Sequence, residues 1–96
     1  MPRKKICRHI QGTPGAYFFK PRGIPLRELG TEVLEMDEFE AIRLSDHLGL
    51  YQAKAAEMMQ ISRQSFALIL KSARKKIART LVDGRGLEIR TTGDKQ

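Results

Sequence analysis

The chain of 96 residues contains one cysteine, Cys7, so no internal disulfide can staple it and nothing points to an oxidising compartment. It lacks an apolar run of the roughly 18 residues a membrane span needs, and none of signal-peptide length follows its charged start. A soluble, cytoplasmic protein with no membrane partner is expected. Internal repeats and low-complexity tracts are also missing. The length leaves room for one small domain and excludes a large enzyme with its own cofactor domain.

Catalytic and metal-binding patterns are missing as well. No nucleophile is paired with a base, and the glycines do not form a phosphate loop. Cys7, His9 and the distant His47 lack the four-ligand, finger-like spacing of a zinc site. The sequence therefore predicts no enzyme, no metal site and no cofactor.

Acid is absent from two whole stretches. Residues 1–27 carry seven bases and no acid, and residues 58–82 carry six bases and no acid. Between them, residues 28–57 carry eight acids against two bases. Residues 83–96 are balanced, so the net charge is +7 and the isoelectric point lies near 10.0. Such segregation can build one positive face on a small fold, the plain alternative being ordinary solvated surface.

All four prolines precede residue 26 and, with Gly12, Gly15, Gly23 and Gly30, exclude a useful helix there. Residues 1–30 are read as a basic arm, partly packed on the core through Tyr17, Phe18, Phe19, Ile24, Leu26 and Leu29. Val33, Leu34 and Met36 predict a short turn or strand. A first helix is expected from Asp37 as N-cap, with Glu40 at the third position, to a stop at Gly49. Its inward face would carry Ala41, Leu44 and Leu48. The acids of residues 35–40 are read as capping and solvated helix face. A second helix is expected over residues 52–59, with Ala55, Ala56 and Met59 inward.

Ser62 then caps a third helix, whose stripe Phe66, Ile69 or Leu70, Ala73, Ile77 and Leu81 ends at Asp83-Gly84. Leu87-Glu88-Ile89 predicts a short terminal strand, pairing with residues 17–19, and residues 91–96 a disordered tail. The fold class is mainly α: a three-helix helix-turn-helix domain over residues 31–90. Small Ala55 and Ala56, inward Ile61, the Ser62 cap and inward Phe66 and Ile69 match what a steep helix pair needs.

This geometry leaves Arg63, Gln64, Ala67, Leu68 and Lys71 facing out, on the helix that enters a major groove. Arg reads guanine bidentately and Gln reads adenine. The base contacts are therefore assigned to Arg63, Gln64, Ala67 and Leu68, and the phosphate contacts to Ser62, Lys71, Arg74 and Lys75. Lys76 and Arg79 are left as further contacts or solubilising charge. Leu68 fits a thymine methyl, a partner chain or an isolated exposed leucine. Arg3, Lys4, Lys5 and Arg8 fit a minor-groove arm or a solvated tail.

The run Leu34-Glu35-Met36-Asp37-Glu38-Phe39-Glu40-Ala41-Ile42-Arg43-Leu44-Ser45-Asp46 resembles the signature of the UPF0251 (DUF134) family. The resemblance continues through Ala55–Met59, Ile61–Phe66, Ile69-Leu70 and Ser72–Ala78 to Leu81–Gly84, and upstream includes Cys7 and Phe19-Lys20-Pro21. It implies a small prokaryotic protein with a helix-turn-helix similar to region 4 of sigma factors, expected to bind DNA. Some relatives are fused to a domain similar to those binding the nitrogenase iron–molybdenum cofactor, which is not expected in this chain. Tyr51, Gln60, Ser65 and Leu68 depart from the family pattern, which places a small polar residue, a glycine, a threonine and a polar or basic residue there.

The expected function is sequence-specific binding of double-stranded DNA by a transcriptional regulator, with a homodimer open to it. The alternatives are a module docking on transcription machinery through Leu68 and the acidic segment, or nonspecific DNA or RNA binding.

Overall fold

The structure is a computed structural model that describes residues 9–91. The assigned arm bases Arg3, Lys4, Lys5 and Arg8, together with Cys7 and residues 92–96 of the expected tail, lie outside the described residues.

Three strands and three helices make up the fold of the described residues. Strand β1 (Phe18–Phe19) is followed by a single 3-10 turn, Leu26–Glu28, and strand β2 (Thr31–Glu35). Helix α1 (Met36–Ile42) leads into a π-helical segment, Arg43–His47. Helices α2 (Gln52–Met59) and α3 (Arg63–Asp83) follow, and strand β3 (Gly86–Arg90) closes the fold. The expected pairing of the terminal strand with the aromatic run is present: β1 runs antiparallel to β3, with Phe18 opposite Glu88 and Phe19 opposite Leu87. The sheet also contains a parallel pair that the sequence does not reveal. β2 lies along β3 on its other side, Leu34 opposite Ile89 and Glu35 opposite Arg90. The three helices form the crossover that a parallel pair requires.

Two packed clusters share the helices. One joins Ala41 and Leu44 to Ala55, Ala56 and Met59 of α2 and to Phe66 and Leu70 of α3. The small Ala55 and Ala56 are buried where α2 meets α3, as the sequence predicts. The second cluster sets Leu34 and Ile89 of the sheet against Ala73, with Ile42 touching both clusters. Gly84 ends α3 at φ 68°, a left-handed backbone that glycine adopts without strain.

Several expectations fail for local reasons. The N-cap of α1 is Glu35 rather than Asp37, because β2 stays extended through its register with Arg90 and turns directly into the helix. Glu38, not Glu40, holds the third position, its Oε1 accepting the Glu35 N–H at 2.8 Å. Leu48 is 50% exposed instead of buried. The π segment, closed by the Leu48 N–H to the Arg43 carbonyl at 2.9 Å, turns less per residue than an α-helix and rotates Leu48 outward. Leu50 packs against the first cluster in its place. Leu81 is 77% exposed, since the last turn of α3 runs past both clusters. Tyr17, Phe18 and Phe19 are exposed as well, the two phenylalanines on the edge strand of the sheet and Tyr17 just before it.

Candidate nucleic-acid interface

The expected bounds of α2, the Ser62 cap and the Gly84 stop of α3 are present. Three residues, Gln60 to Ser62, join the helices. Gln60 takes up a left-handed backbone, φ 60° and ψ 43°, and is the only non-glycine to do so among the described residues. An L-residue pays about 1 kcal/mol or more there. Ile61 points inward against the first cluster. Ser62 caps α3: its Oγ accepts the Ser65 N–H at 3.0 Å and its hydroxyl donates to Ser65 Oγ. That hydroxyl is therefore committed to the cap, and the contact Ser62 can offer an anion comes mainly from the open amides of the first turn.

Arg63, Gln64, Ala67, Leu68, Lys71 and Lys75 are all exposed. At about 100° of rotation per residue they occupy roughly 140° of the circumference of α3, centred about 120° from the face of Phe66, Leu70 and Ala73, with Arg63 at the margin next to Leu70. Arg63, Lys71 and Lys75 make no ion pair with a described residue. Leu68, 69% exposed, sits at the edge of this stripe.

The other bases of α3 are spoken for. Arg74 grips Asp46 in a fork, Nη2 to Oδ1 at 2.6 Å and Nε to Oδ2 at 3.1 Å. Lys76 donates to Glu38 Oε1 and to the Val33 carbonyl, both at 2.7 Å. Arg79 faces Glu32 at 3.6 Å, and Arg85 reaches the same carboxylate at 3.0 Å. The acidic block of the sequence thus folds onto the second basic block and neutralises half of it.

The acids of residues 35–40 supply capping as expected, through Glu35 with Glu38, but not the expected solvated face. Glu38 and Glu40 are buried, not solvated. Burial pushes the Glu38 carboxyl up, but hydrogen bonds from Lys76, Ser72 and the Glu35 N–H, with the lysine's charge, hold it below its ordinary value. Burial opposes Glu40 likewise, and bonds from Arg43 and from the Gln11 and Gly12 N–H groups bring it below the ordinary value too. Asp46 is lowered by its hydrogen bonds from Arg74, against a smaller effect of burial. The signature residues Glu38, Glu40, Arg43 and Asp46 are therefore locks between segments. Only the i, i+3 spacing of Glu40 and Arg43 signals any of this in the sequence.

Among the described residues no group of three or more His, Cys, Asp and Glu is placed to hold a metal ion, and no helix is long and apolar enough to cross a membrane.

The chain is accordingly a mainly α domain in which a small mixed sheet braces one long, basic helix. It belongs to the family described as protein of unknown function DUF134, whose profile matches residues 1–96. A UPF0251 protein of Moorella thermoacetica is 48% identical over 89 residues, and one of Syntrophobacter fumaroxidans is 52% identical over the same length. Each match takes in 93% of this chain but only 60% and 57% of the respective relative. The chain thus spans somewhat more than half of those proteins. A UPF0251 protein of Shewanella baltica is 46% identical over 95 residues, 99% of this chain and 97% of the relative. No solved structure matches the chain.

Proposed function

We propose that the protein is a helix-turn-helix regulator that reads double-stranded DNA, with α3 as its recognition helix. The observation that carries this reading is the stripe of Arg63, Gln64, Lys71 and Lys75. It is exposed, unneutralised by any acid among the described residues, and begins at a capped helix N-terminus. The three-residue turn and the buried alanines of α2 are what a helix-turn-helix of the sigma region 4 kind requires.

In this reading α2 crosses the phosphate backbone while the first turns of α3 enter the major groove. Arg63 and Gln64 present bidentate donors and acceptors to base edges, and Ala67 and Leu68 lie against thymine methyls. Lys71 and Lys75, further along the stripe, reach phosphates, as do the first-turn amides beside Ser62. Arg74 meets a phosphate only by exchanging Asp46 for it. Two copies on one duplex would set their recognition helices about one helical turn apart.

The test is selection of bound duplexes from a random pool, followed by titration of Arg63→Ala and Gln64→Ala against the selected site and a scrambled one. Each substitution is expected to cost about 1–3 kcal/mol on the selected site and little on the scrambled one. Equal losses on both, or a pool without an enriched motif, would refute sequence reading. The half-site spacing of an enriched motif reports whether two copies act together.

Docking on transcription machinery through the acidic segment gains less support. Glu32, Glu35, Glu38, Glu40 and Asp46 are all occupied within the chain.

A further inference from the structure

The sheet has two edges, and the chain treats them differently. Along β2, outward groups are engaged: the Val33 carbonyl accepts from Lys76 Nζ at 2.7 Å, and the Glu35 N–H donates to Glu38 Oε1 at 2.8 Å. Along β1 the edge is open. The Ile89 N–H donates to the Tyr17 carbonyl at 2.9 Å, so alternation turns the Phe18 N–H and C=O away from β3. No described residue pairs with either group on that side. An edge left in this state is a template for another strand.

The side chains along this edge are apolar. Tyr17, Phe18 and Phe19 are 45%, 40% and 50% exposed. The Phe18 ring lies over Gly86, its Cζ 3.2 Å from where a Cβ would stand. Phe19 lies on the side of α3, where with Pro21, Thr80 and Leu81 it lines a groove of about 350 Å³.

We propose that β1 pairs with β1 of a second copy of this chain, antiparallel about a two-fold axis at Phe18, joining two three-stranded sheets into one. Hydrogen-bond valence favours this occupant. The Phe18 N–H and C=O point the same way, so two copies exchange both bonds in one closely spaced pair, a self-complementary contact that closes under two-fold symmetry. In that register Tyr17 falls opposite the second copy's Phe19, beside its groove. Lys20 falls opposite the small Ala16, and its ammonium passes over it to Glu88 of the second copy. The two Cα atoms are then about 12 Å apart, within the combined reach of the side chains. Within its own chain Glu88 makes no ion pair with a described residue, and Lys20 bonds only to the Pro21 carbonyl among them.

The area sets the strength. At about 200 Å² for each ring, the three aromatics leave about 270 Å² exposed per copy. A pair buries at most about 540 Å² through them, about a third of the roughly 1,600 Å² of a standard interface. The edge backbone, Pro21 and Leu81 add to this, which makes a weak, concentration-dependent dimer rather than an obligate one.

The pairing stands apart from the DNA reading and is tested without DNA. The experiment is sedimentation equilibrium of the full chain from about 1 to about 200 μM, the range in which a weak dimer forms. The parent mass should rise from 10.9 kDa toward twice that value. Phe18→Pro removes the outward N–H while Tyr17 and Phe19 keep their bonds to β3, a position where an edge strand tolerates proline. It should stay monomeric throughout, with an unchanged circular dichroism spectrum. Lys20→Glu should weaken association at least about tenfold, and adding Glu88→Lys should restore it. This charge exchange keeps the test decisive if Phe18→Pro does not fold. A parent that is monomeric at about 200 μM overturns the pairing, even where an added peptide strand binds β1 and so assigns the edge to another protein. A trimer or larger assembly overturns it too, as does a folded Phe18→Pro or a Lys20→Glu that associates like the parent. A Lys20→Glu loss that Glu88→Lys leaves unrestored overturns the register.

Discussion

The distribution of ion pairs along α3 makes a quantitative prediction about salt. Six bases lie between residues 58 and 82, but Arg74, Lys76 and Arg79 face Asp46, Glu38 and Glu32. Under the proposed reading, only Arg63, Lys71 and Lys75 of these six, which make no ion pair with a described residue, are free to release counterions from DNA, and of these Lys71 and Lys75 are the ones assigned to phosphate. Each phosphate neutralised contributes about 0.9 to the slope of log K against log salt. Replacing Lys71 and Lys75 together by Ala should therefore lower the slope by about 1.8. Between about 50 and 200 mM salt, the affinity ratio of parent to variant should shrink about twelvefold. Arg74→Ala should change the slope much less, because a phosphate that takes Arg74 leaves Asp46 unpaired. It should also cost only about 0.2–1 kcal/mol of stability, as exposed pairs do. The assay is fluorescence anisotropy of a labelled duplex across a salt series. An Arg74→Ala slope change equal to that of Lys71→Ala would refute the ion-pair assignment, and an unchanged slope in the double variant would refute the phosphate contacts.

Other outcomes follow from the buried acids and the core. Glu38 and Glu40 have folded-state values below their ordinary 4.5, so their contribution is fully present above about 4.5 and is lost as pH falls through the lower folded values. Thermal melts should show a midpoint that falls steadily on acidification below that pH, with a shallower fall in Glu38→Gln; a midpoint constant down to strong acid contradicts the arrangement. Glu38→Ala strands the half-buried Lys76 ammonium and should cost about 3 kcal/mol by urea denaturation, whereas a loss under about 1 would mean that the lock is idle. Phe66→Ala opens a cavity at a fully buried site and should cost about 3–5 kcal/mol, enough to unfold much of so small a domain at room temperature. At Gln60, a β-branched residue such as Val should destabilise by more than about 1 kcal/mol while Gly is nearly neutral, relief of strain offsetting added chain entropy.

Elements whose signals are local were legible without a structure. The Ser62 cap, the α2 boundaries, the Gly84 stop and the inward Phe66 and Ala73 rest on spacing of a few residues, and spacing survives folding. The pairing of residues 17–19 with 87–89 was legible because two short apolar runs had few other partners. The parallel alignment of β2 with β3 was not, since its register is set by three intervening helices rather than by a turn. Leu48 and Leu81 illustrate a different failure: periodicity says which residues share a face, but not whether a π segment rotates that face or whether anything covers its last turn. At the candidate site, the exposed stripe could be read from helical phase alone. The commitment of Arg74 and Lys76 to acids about 30 to 40 residues away could not.

By itself, then, the sequence determined that this is a small, cysteine-poor, basic domain with three helices, and which residues of α3 turn away from the core. These follow from composition and from a 3.6-residue period, both of which belong to the chain. Tertiary structure decided what the charge means. It folded an acidic block onto a basic one, left Arg63, Lys71 and Lys75 unpaired on one stripe among the described residues, and used a buried carboxylate to hold the backbone of Gln11 and Gly12. Charge acts through space, so its effect depends on which groups the fold brings within a few ångströms of one another.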